Sequence, residues 1–323
     1  MTEYFEVLHR DGPARVGELR LSEPRQTPSV IGDVLQDAGS LWSEDRSVPS
    51  GSKSELTVLP HRAFPPGTPR EVQEEFDVST PEIDGPSAVV VTEATVSDRG
   101  TDAYVLSGAR PLLGHASAFV ETIVEVRRSI PDDTALYLPG VATPANVSLL
   151  AYAGVDLVDT DRAVLEGTAG RYLDATSETF LEDRQELPCA CPACQTPRED
   201  FSREDCAEHH VAALEADLAT VRERIRTGRL REYLEGQVRH FPWMTAALRQ
   251  FDQEETYLAE RTPLFRQSQL LATTDDSLFR PAVRQFAERV ATRYENRFED
   301  VPLLLVPCSA GKPYSDSQSH RRF

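Results

Sequence analysis

Residues 135–159 read ALYLPGVATPANVSLLAYAGVDLVD, and this stretch indicates the fold. Residues 135–138 and 155–158 are short apolar runs of the kind that form buried strands. Residues 144–153 lie between them and are typical of a helix, with proline in the first turn and Gly154 after the last. Two short strands joined by a helix predict parallel neighbours in one sheet.

The same alternation begins upstream, near residue 86. Residues 88–91 predict another buried strand, and residues 115–128 predict a helix. Eight full strand–helix units need about 200 residues or more, and this part of the chain is shorter than that. We therefore expect an α/β fold whose parallel sheet is open or forms an incomplete, degenerate barrel.

The region before residue 86 has a different character. Residues 5–10 and 14–21 flank Asp11-Gly12, a dipeptide that favours a tight hairpin turn. Residues 40–85 are rich in Ser, Pro, Glu and Gly and are expected to be mostly loop, with one short apolar run at 56–59.

The C-terminal half is expected to be helical before a final short strand. Residues 203–235 predict one long helix, because apolar residues recur there every three or four positions. Residues 245–261 and 277–299 predict further helices, and residues 302–306 predict an apolar strand. The apolar stripe of the long helix consists of Val211, Leu214, Leu218, Val221 and Ile225.

The chain is strongly acidic and almost free of lysine. Its 323 residues contain 53 Asp+Glu against 34 Lys+Arg, for a formal charge of −19, and Lys53 and Lys312 are its two lysines. This composition is typical of halophilic proteins, in which surface carboxylates keep the protein hydrated. A net negative charge normally argues against nucleic-acid binding, but concentrated salt screens charges over a few Å and weakens that argument.

No apolar run approaches the roughly 20 residues that span a bilayer, and the N-terminus does not resemble a signal peptide. We therefore expect a cytoplasmic protein with no membrane partner. In a reducing compartment, five cysteines with four crowded together indicate a metal site and one separate thiol, Cys308.

The crowded cysteines have metal-ligand spacing. Cys189, Cys191 and Cys194 form a C-x-C-x-x-C pattern, which lets one turn deliver three sulfurs to a tetrahedral ion such as zinc. The fourth ligand must lie downstream, and the order of preference is His209, then Cys206, then His210. A closed site of this kind predicts a structural role. The simpler alternative is three free thiols in a loop.

Residues 307–320, PCSAGKPYSDSQSH, follow the apolar strand at the position where α/β sheets place ligand sites. Lys312 stands out, because arginine supplies almost all of the other positive charge. Unlike arginine, lysine can become a nucleophile or a general base when it is buried. Ser317 and His320 would share one helix face. The alternatives are a disordered tail and a loop that binds phosphate through its backbone N–H groups.

Two family resemblances rest on these motifs. The hairpin, the GVDLVD stretch, the C-x-C-x-x-C segment and the histidine in the long helix resemble tRNA-guanine transglycosylases, which are zinc-containing TIM barrels. The resemblance implies zinc ligation by Cys189, Cys191, Cys194 and His209, and it gives Asp159 the position of the nucleophilic aspartate. Thr160, Asp161 and Arg162 depart from the family pattern, and a second catalytic aspartate has no counterpart. We therefore expect a degenerate barrel, with Asp159 as a helix cap or, less favoured, a nucleophile.

Residues 307–320 also resemble the signature of archaeosine synthases, archaeal relatives of the transglycosylases. The matching residues are Pro307, Cys308, Ser309, Lys312, Pro313, Tyr314, Ser317, Ser319 and His320. The resemblance implies a tRNA substrate carrying 7-cyano-7-deazaguanine in its D-loop. An amine donor, either lysine or glutamine nitrogen, would be added to the nitrile, and a radical-enzyme partner could complete the base.

Chemistry and this resemblance together predict roles for the residues of this segment. Cys308 is expected to add to the nitrile or to shape the pocket, Lys312 to act as a general acid or anchor, and His320 to move protons, with Ser317 beside it. Ser309, Tyr314 and Ser319 are expected to bind substrate. The alternatives are guanine exchange through Asp159 and a non-catalytic tRNA-binding scaffold, and a homodimer is left open.

The expected domain plan has four parts. Residues 1–187 form the degenerate barrel, residues 188–240 the zinc segment and long helix, and residues 241–300 a helical connector. Residues 301–323 begin a second α/β core domain that carries the catalytic motif. Because this domain and a closing RNA-binding domain would be incomplete here, we expect a fragment or a split protein that is inactive alone.

Overall fold

The computed structural model describes residues 2–39, 49–62, 64–65, 67–76, 81–98, 100–263, 268–293, 295 and 318. Twelve strands lie in these ranges. They are β1 (Phe5–Asp11), β2 (Ala14–Leu19), β3 (Arg25–Thr27), β4 (Ser29–Val30), β5 (Leu35–Asp37), β6 (Leu56–Val58), β7 (Ser87–Val91), β8 (Ala103–Leu106), β9 (Ala135–Leu138), β10 (Leu157–Val158), β11 (Arg171–Leu173) and β12 (Glu178–Phe180).

The described residues also form nine α-helices, joined in places by short 3-10 turns. The α-helices are α1 (Arg70–Glu75), α2 (Ala116–Ser129), α3 (Val147–Tyr152), α4 (Asp161–Thr168), α5 (Arg203–Arg226), α6 (Leu230–Gln237), α7 (Pro242–Phe251), α8 (Glu255–Arg261) and α9 (Pro281–Arg293). None of these helices is long and apolar enough to cross a membrane.

Seven parallel strands form one sheet in the order β4-β10-β9-β8-β7-β6-β5. The two edge strands β4 and β5 are consecutive in the chain, with only residues 31–34 between them. Five residue steps reach at most about 18 Å, whereas the edges of a flat seven-stranded sheet would stand about 29 Å apart. The sheet must therefore curl, and it forms the incomplete barrel that the sequence predicted.

Side chains alternate between the two faces of this curled sheet. Leu136 and Leu138 of β9 pack outward in one apolar cluster with Phe119 and Ile123 of α2. A second apolar cluster contains the strand residues whose side chains point to the opposite face of the sheet. It contains no α-helix residue, so it fills the concave interior. Its strand members include Val58, Ala88, Ala103, Val105, Tyr137 and Leu157. The sheet thus separates a helix-covered outer core from a packed interior.

The antiparallel sheet of β1, β2 and β3 closes one end of the barrel. Phe5 and Leu19 from this sheet join the interior cluster. Arg15 of β2 is buried and donates to both carboxylate oxygens of Asp156, at 2.7 Å each, just before β10 begins. It also donates to the carbonyls of Asp132 and Thr134, which precede β9. These contacts place the hairpin at the amino-terminal ends of the strands.

Several predicted elements differ in extent from the observed ones. The predicted helix over 203–235 is two helices, because Gly228 has a left-handed φ of +64° between α5 and α6. The helix over 144–153 is shorter, with Thr143 and Asn146 bonding to each other ahead of α3. The 56–59 run inside the expected loop region is β6, an inner strand of the sheet. The predicted strand 302–306 lies outside the described residues.

We expect Asp156→Asn to lower the free energy of unfolding by about 3–5 kcal/mol, because it leaves the Arg15 guanidinium buried without its counter-charge. The matched control is Glu6→Gln, since Glu6 pairs with Arg20 at the surface and should contribute about 1 kcal/mol or less. Urea unfolding at a fixed high KCl concentration measures both. An equal, small effect of the two substitutions would contradict this role of the pair.

Candidate functional site

The N-terminal end of α5 holds the clustered histidines and is fixed by local contacts. A capping box joins Ser202 and Asp205, so that α5 begins at a defined residue. Gly167 of α4 lies against the backbone of Ala207, where a Cβ would come within 2.6 Å of it. Only glycine permits this close crossing, which seats the first turns of α5 beside α4 and β11.

Four side chains converge on one point beside this helix. Cys189, Cys191, Cys194 and His209 present ligand atoms that all lie within 4.8 Å of one another. The loop that carries the cysteines is turned by hydrogen bonds from the Cys194 N–H to the Cys191 carbonyl and from the Cys191 N–H to the Cys189 sulfur. The Cys191 Sγ is 3.5 Å from the His209 Nδ1. This Cys3His cluster could bind a metal ion.

The ring of His209 is oriented by its surroundings. Its Nε2 lies 3.0 Å from the carbonyl oxygen of Leu173, so an N–H there donates to the backbone and leaves Nδ1 as an acceptor facing the sulfurs. Tyr172 stacks on the imidazole at 4.3 Å between ring centroids, and Arg184 covers the other face of Tyr172 at 4.1 Å. The Tyr172 hydroxyl is 3.6 Å from the Cys194 sulfur. The sequence pattern does not indicate either of these supporting residues.

Cys206 and His210, the alternative fourth ligands, are turned to other partners. The Cys206 thiol donates to the Arg171 carbonyl at 3.2 Å. His210 lies 2.8 Å from the Ala163 carbonyl through Nδ1, and its Nε2 accepts the Leu173 N–H at 2.8 Å. Both nitrogens of His210 are thereby occupied by backbone groups. The geometry favours His209, the first choice from the sequence.

Burial controls the protonation of the cluster. It raises the pKa of Cys194 to about 12, with the Cys191 sulfur adding to the effect, and it also raises the pKa of Cys189. Burial, and then the neighbouring His210, lower the pKa of His209 to about 4. At neutral pH the imidazole is therefore neutral and able to ligate, whereas the thiols of Cys189 and Cys194 need a cation to become thiolates.

Asp159 lies at the carboxyl end of β10, as expected, but its carboxylate is committed to the fold. One oxygen accepts from the Tyr137 hydroxyl at 2.8 Å and from the Gly140 N–H at 2.7 Å. The other accepts from the Asp161 N–H at 3.1 Å, in the first turn of α4. The residue is only 5% exposed. These contacts favour the capping role over that of a free nucleophile.

The other predicted site residues cannot be placed against these groups. They lie outside the described residues and are Cys308, Ser309, Lys312, Tyr314, Ser317, Ser319 and His320.

Comparison with known proteins connects these regions. The family model described as Queuine tRNA-ribosyltransferase matches residues 91–242, which include β8 to α6 and the Cys3His cluster. The model described as Domain of unknown function (DUF5591) matches residues 283–323, which include the Cys308 segment.

Three relatives extend the comparison. The archaeosine synthase of Haloferax volcanii is 55% identical over 323 residues, which is 100% of this chain and 55% of that protein. The archaeosine synthase subunit alpha of Methanosarcina acetivorans is 41% identical over 100% of this chain and 57% of its own length. A tRNA-guanine(15) transglycosylase of Methanocaldococcus jannaschii is 29% identical over 67% of this chain and 35% of its own length.

This chain spans a little over half the length of the two archaeosine synthase relatives. Three findings agree with one another. The identity extends along the whole chain, the transglycosylase model matches the barrel and helices, and the second model matches the C-terminal segment. The chain is thus similar to archaeosine synthases along its whole length and to tRNA-guanine transglycosylases over the barrel and the helices that follow it.

Proposed function

We propose that this chain is part of an enzyme of archaeosine biosynthesis. The reaction adds an amine donor, lysine or a glutamine-derived nitrogen, to the nitrile of 7-cyano-7-deazaguanine in the D-loop of tRNA. The observation that carries the proposal is the 55% identity to an archaeosine synthase along the entire chain, including residues 307–320. A tRNA substrate in turn implies a cytoplasmic protein.

Amine addition to a nitrile needs no leaving group: the amine nitrogen bonds to the nitrile carbon, and the nitrile nitrogen gains a proton. We assign this chemistry to Cys308, Lys312, Ser317 and His320, with substrate contacts from Ser309, Tyr314 and Ser319. If lysine is the donor, the product is a substituted amidine, and a bond from nitrogen to the lysine carbon must then break. That step is the reason to include a radical-enzyme partner in the proposal.

The described residues of the barrel support this assignment, because the carboxylate of Asp159 is not available for base exchange. Base exchange needs an available carboxylate, and Asp159 instead accepts three hydrogen bonds and is almost fully buried. We therefore assign residues 1–187 to a scaffold that positions tRNA, residues 241–300 to a connector, and residues 301–323 to the start of the catalytic core.

We propose zinc as the ion of the Cys3His cluster in residues 188–240. Three sulfurs and one imidazole nitrogen suit a tetrahedral, closed site, and the donor set has no open position for a reacting group. The Leu173 carbonyl and Tyr172 would orient the ligands from outside. The role of such an ion is to tie the cysteine loop to α5.

Nitrile amination is tested with this chain joined to the part of the Haloferax volcanii protein that it does not match. The fusion is incubated in high salt with tRNA carrying 7-cyano-7-deazaguanine and isotopically labelled lysine or glutamine, and nucleosides are analysed by mass spectrometry. We expect a mass gain that identifies the donor. Lys312→Ala should reduce the rate of amination by about 100-fold or more, as expected for loss of a general acid. The control Lys53→Ala should leave this rate unchanged. A fusion without any mass gain would refute the synthase assignment.

Asp159→Asn separates the proposed reaction from base exchange. We expect the variant to retain amination and to lose about 1–3 kcal/mol of stability, because an amide matches its three donors less well. Labelled guanine should not enter tRNA with either protein. Guanine exchange by the wild type that Asp159→Asn abolishes would instead establish the transglycosylase alternative.

The zinc assignment is tested by metal analysis of purified variants. We expect Cys191→Ser and His209→Ala to lose stoichiometric zinc, and Cys206→Ser to retain it as the matched control. Binding should weaken as pH falls, because protons compete for sulfurs whose pKa values burial raises. Zinc retained by His209→Ala but lost by Cys206→Ser would move the fourth ligand to Cys206.

A further inference from the structure

The C-terminal end of α5 concentrates positive charge in an otherwise acidic chain. Arg222, Arg224, Arg226 and Arg229 occur within eight residues, and Glu223 is the single carboxylate among them. Three of the arginines, Arg224, Arg226 and Arg229, line an open groove of about 940 Å³, and Arg222 precedes them on α5. The other lining residues are Ala219, Thr220, Glu223, Thr227 and Ser268. We call the groove and these four arginines the arginine groove.

Two of these arginines are held in place by neutral groups. Arg222 donates to the carbonyl of Pro28 at 2.6 Å, and Arg226 donates to the side-chain oxygen of Gln26 at 2.6 Å. Neutral acceptors fix the guanidinium groups without cancelling their charge. Among the described residues, the set makes one carboxylate contact, from Arg226 to the exposed Glu223, at 3.7 Å.

The other two arginines have no carboxylate partner among the described residues. Arg224 lies over the ring of Tyr233 at 5.6 Å, which orients a planar guanidinium but leaves its N–H groups available. Arg229 lies in the turn beyond α5, and the hydrogen bonds recorded for it are made by its backbone. By contrast, the exposed Arg20 and Arg70 each contact a glutamate.

Stabilisation of the helix end does not by itself account for this arrangement. Positive side chains do favour the C-terminus of a helix, but Arg229 lies outside α5 and four clustered cations repel one another. The pKa of Arg222 is lowered by burial and then by Arg226, which reflects that repulsion. A bound anion with several negative charges would relieve it.

We propose that the arginine groove binds the phosphate backbone of RNA. This inference rests on the proposed function and specifies where the tRNA backbone contacts the chain. Guanidinium groups match phosphate oxygens through two parallel hydrogen bonds, and Arg224 and Arg229 supply these contacts while Arg222 and Arg226 add fixed charge. The groove lies about 26 Å along α5 from His209, so it is distinct from the Cys3His cluster.

Binding of fluorescently labelled tRNA by the full chain, measured by anisotropy over a KCl series, tests the inference. If the four arginines together neutralise about four phosphates, the logarithm of the affinity should fall with the logarithm of the salt concentration with a slope near −3. Arg224→Gln/Arg229→Gln should weaken binding about tenfold at moderate salt and reduce the slope by about 2. The matched control, Arg20→Gln/Arg70→Gln, removes the same net charge from ion-paired arginines and should leave both quantities unchanged.

Equal effects of the two double variants, or a wild type that does not bind tRNA, would overturn the inference. Polyglutamate that competes as well as RNA of equal charge would overturn the assignment to RNA and indicate a general polyanion site. Thermal unfolding of the variants monitors folding independently. Groove-dependent tRNA binding without nitrile amination by the fusion would refute the proposed function alone, whereas amination with groove-independent binding would refute this inference alone.

Discussion

The buried ion pair between Arg15 and Asp156 is the contact on which the barrel depends. Its carboxylate also accepts the N–H of Leu136, and the backbone carbonyl of Asp156 accepts the N–H of Ser29. One residue pair thus ties β2, β4, β9 and β10 together at the amino-terminal end of the sheet. Because both charges are withdrawn from solvent, high salt screens this contact far less than a surface pair.

A second buried network extends the same principle to the C-terminal helices. Arg231 of α6 donates to both oxygens of Asp252, and Arg280 donates to Glu235 at 2.8 Å just before α9. These pairs join the helices after the barrel to the point where the second matched region begins, at residue 283. Helices α6 and α7 and the start of α9 are therefore held together by charge pairs as well as by apolar packing.

Helix α5 links the separate features of the molecule. Its first turns carry His209 against the cysteine loop, its middle packs with Leu214 and Leu218 in the outer core, and its last turn carries the arginine groove. A rigid helix of 24 residues fixes the distance between these features. If the proposed function holds, the cluster serves the fold at one end while the other end meets the substrate.

Local sequence patterns determined most of the strands and helices and the clustering of the three cysteines, because each depends on residues that are near one another in the chain. The alternation around residues 135–158 predicted the parallel sheet, and the C-x-C-x-x-C spacing predicted three of the four clustered side chains. Only the tertiary structure decided the partners of Asp159, the choice of His209 over its neighbours, and the pairing of Arg15 with Asp156. Those features depend on contacts between distant residues and on side-chain direction, which periodicity does not encode.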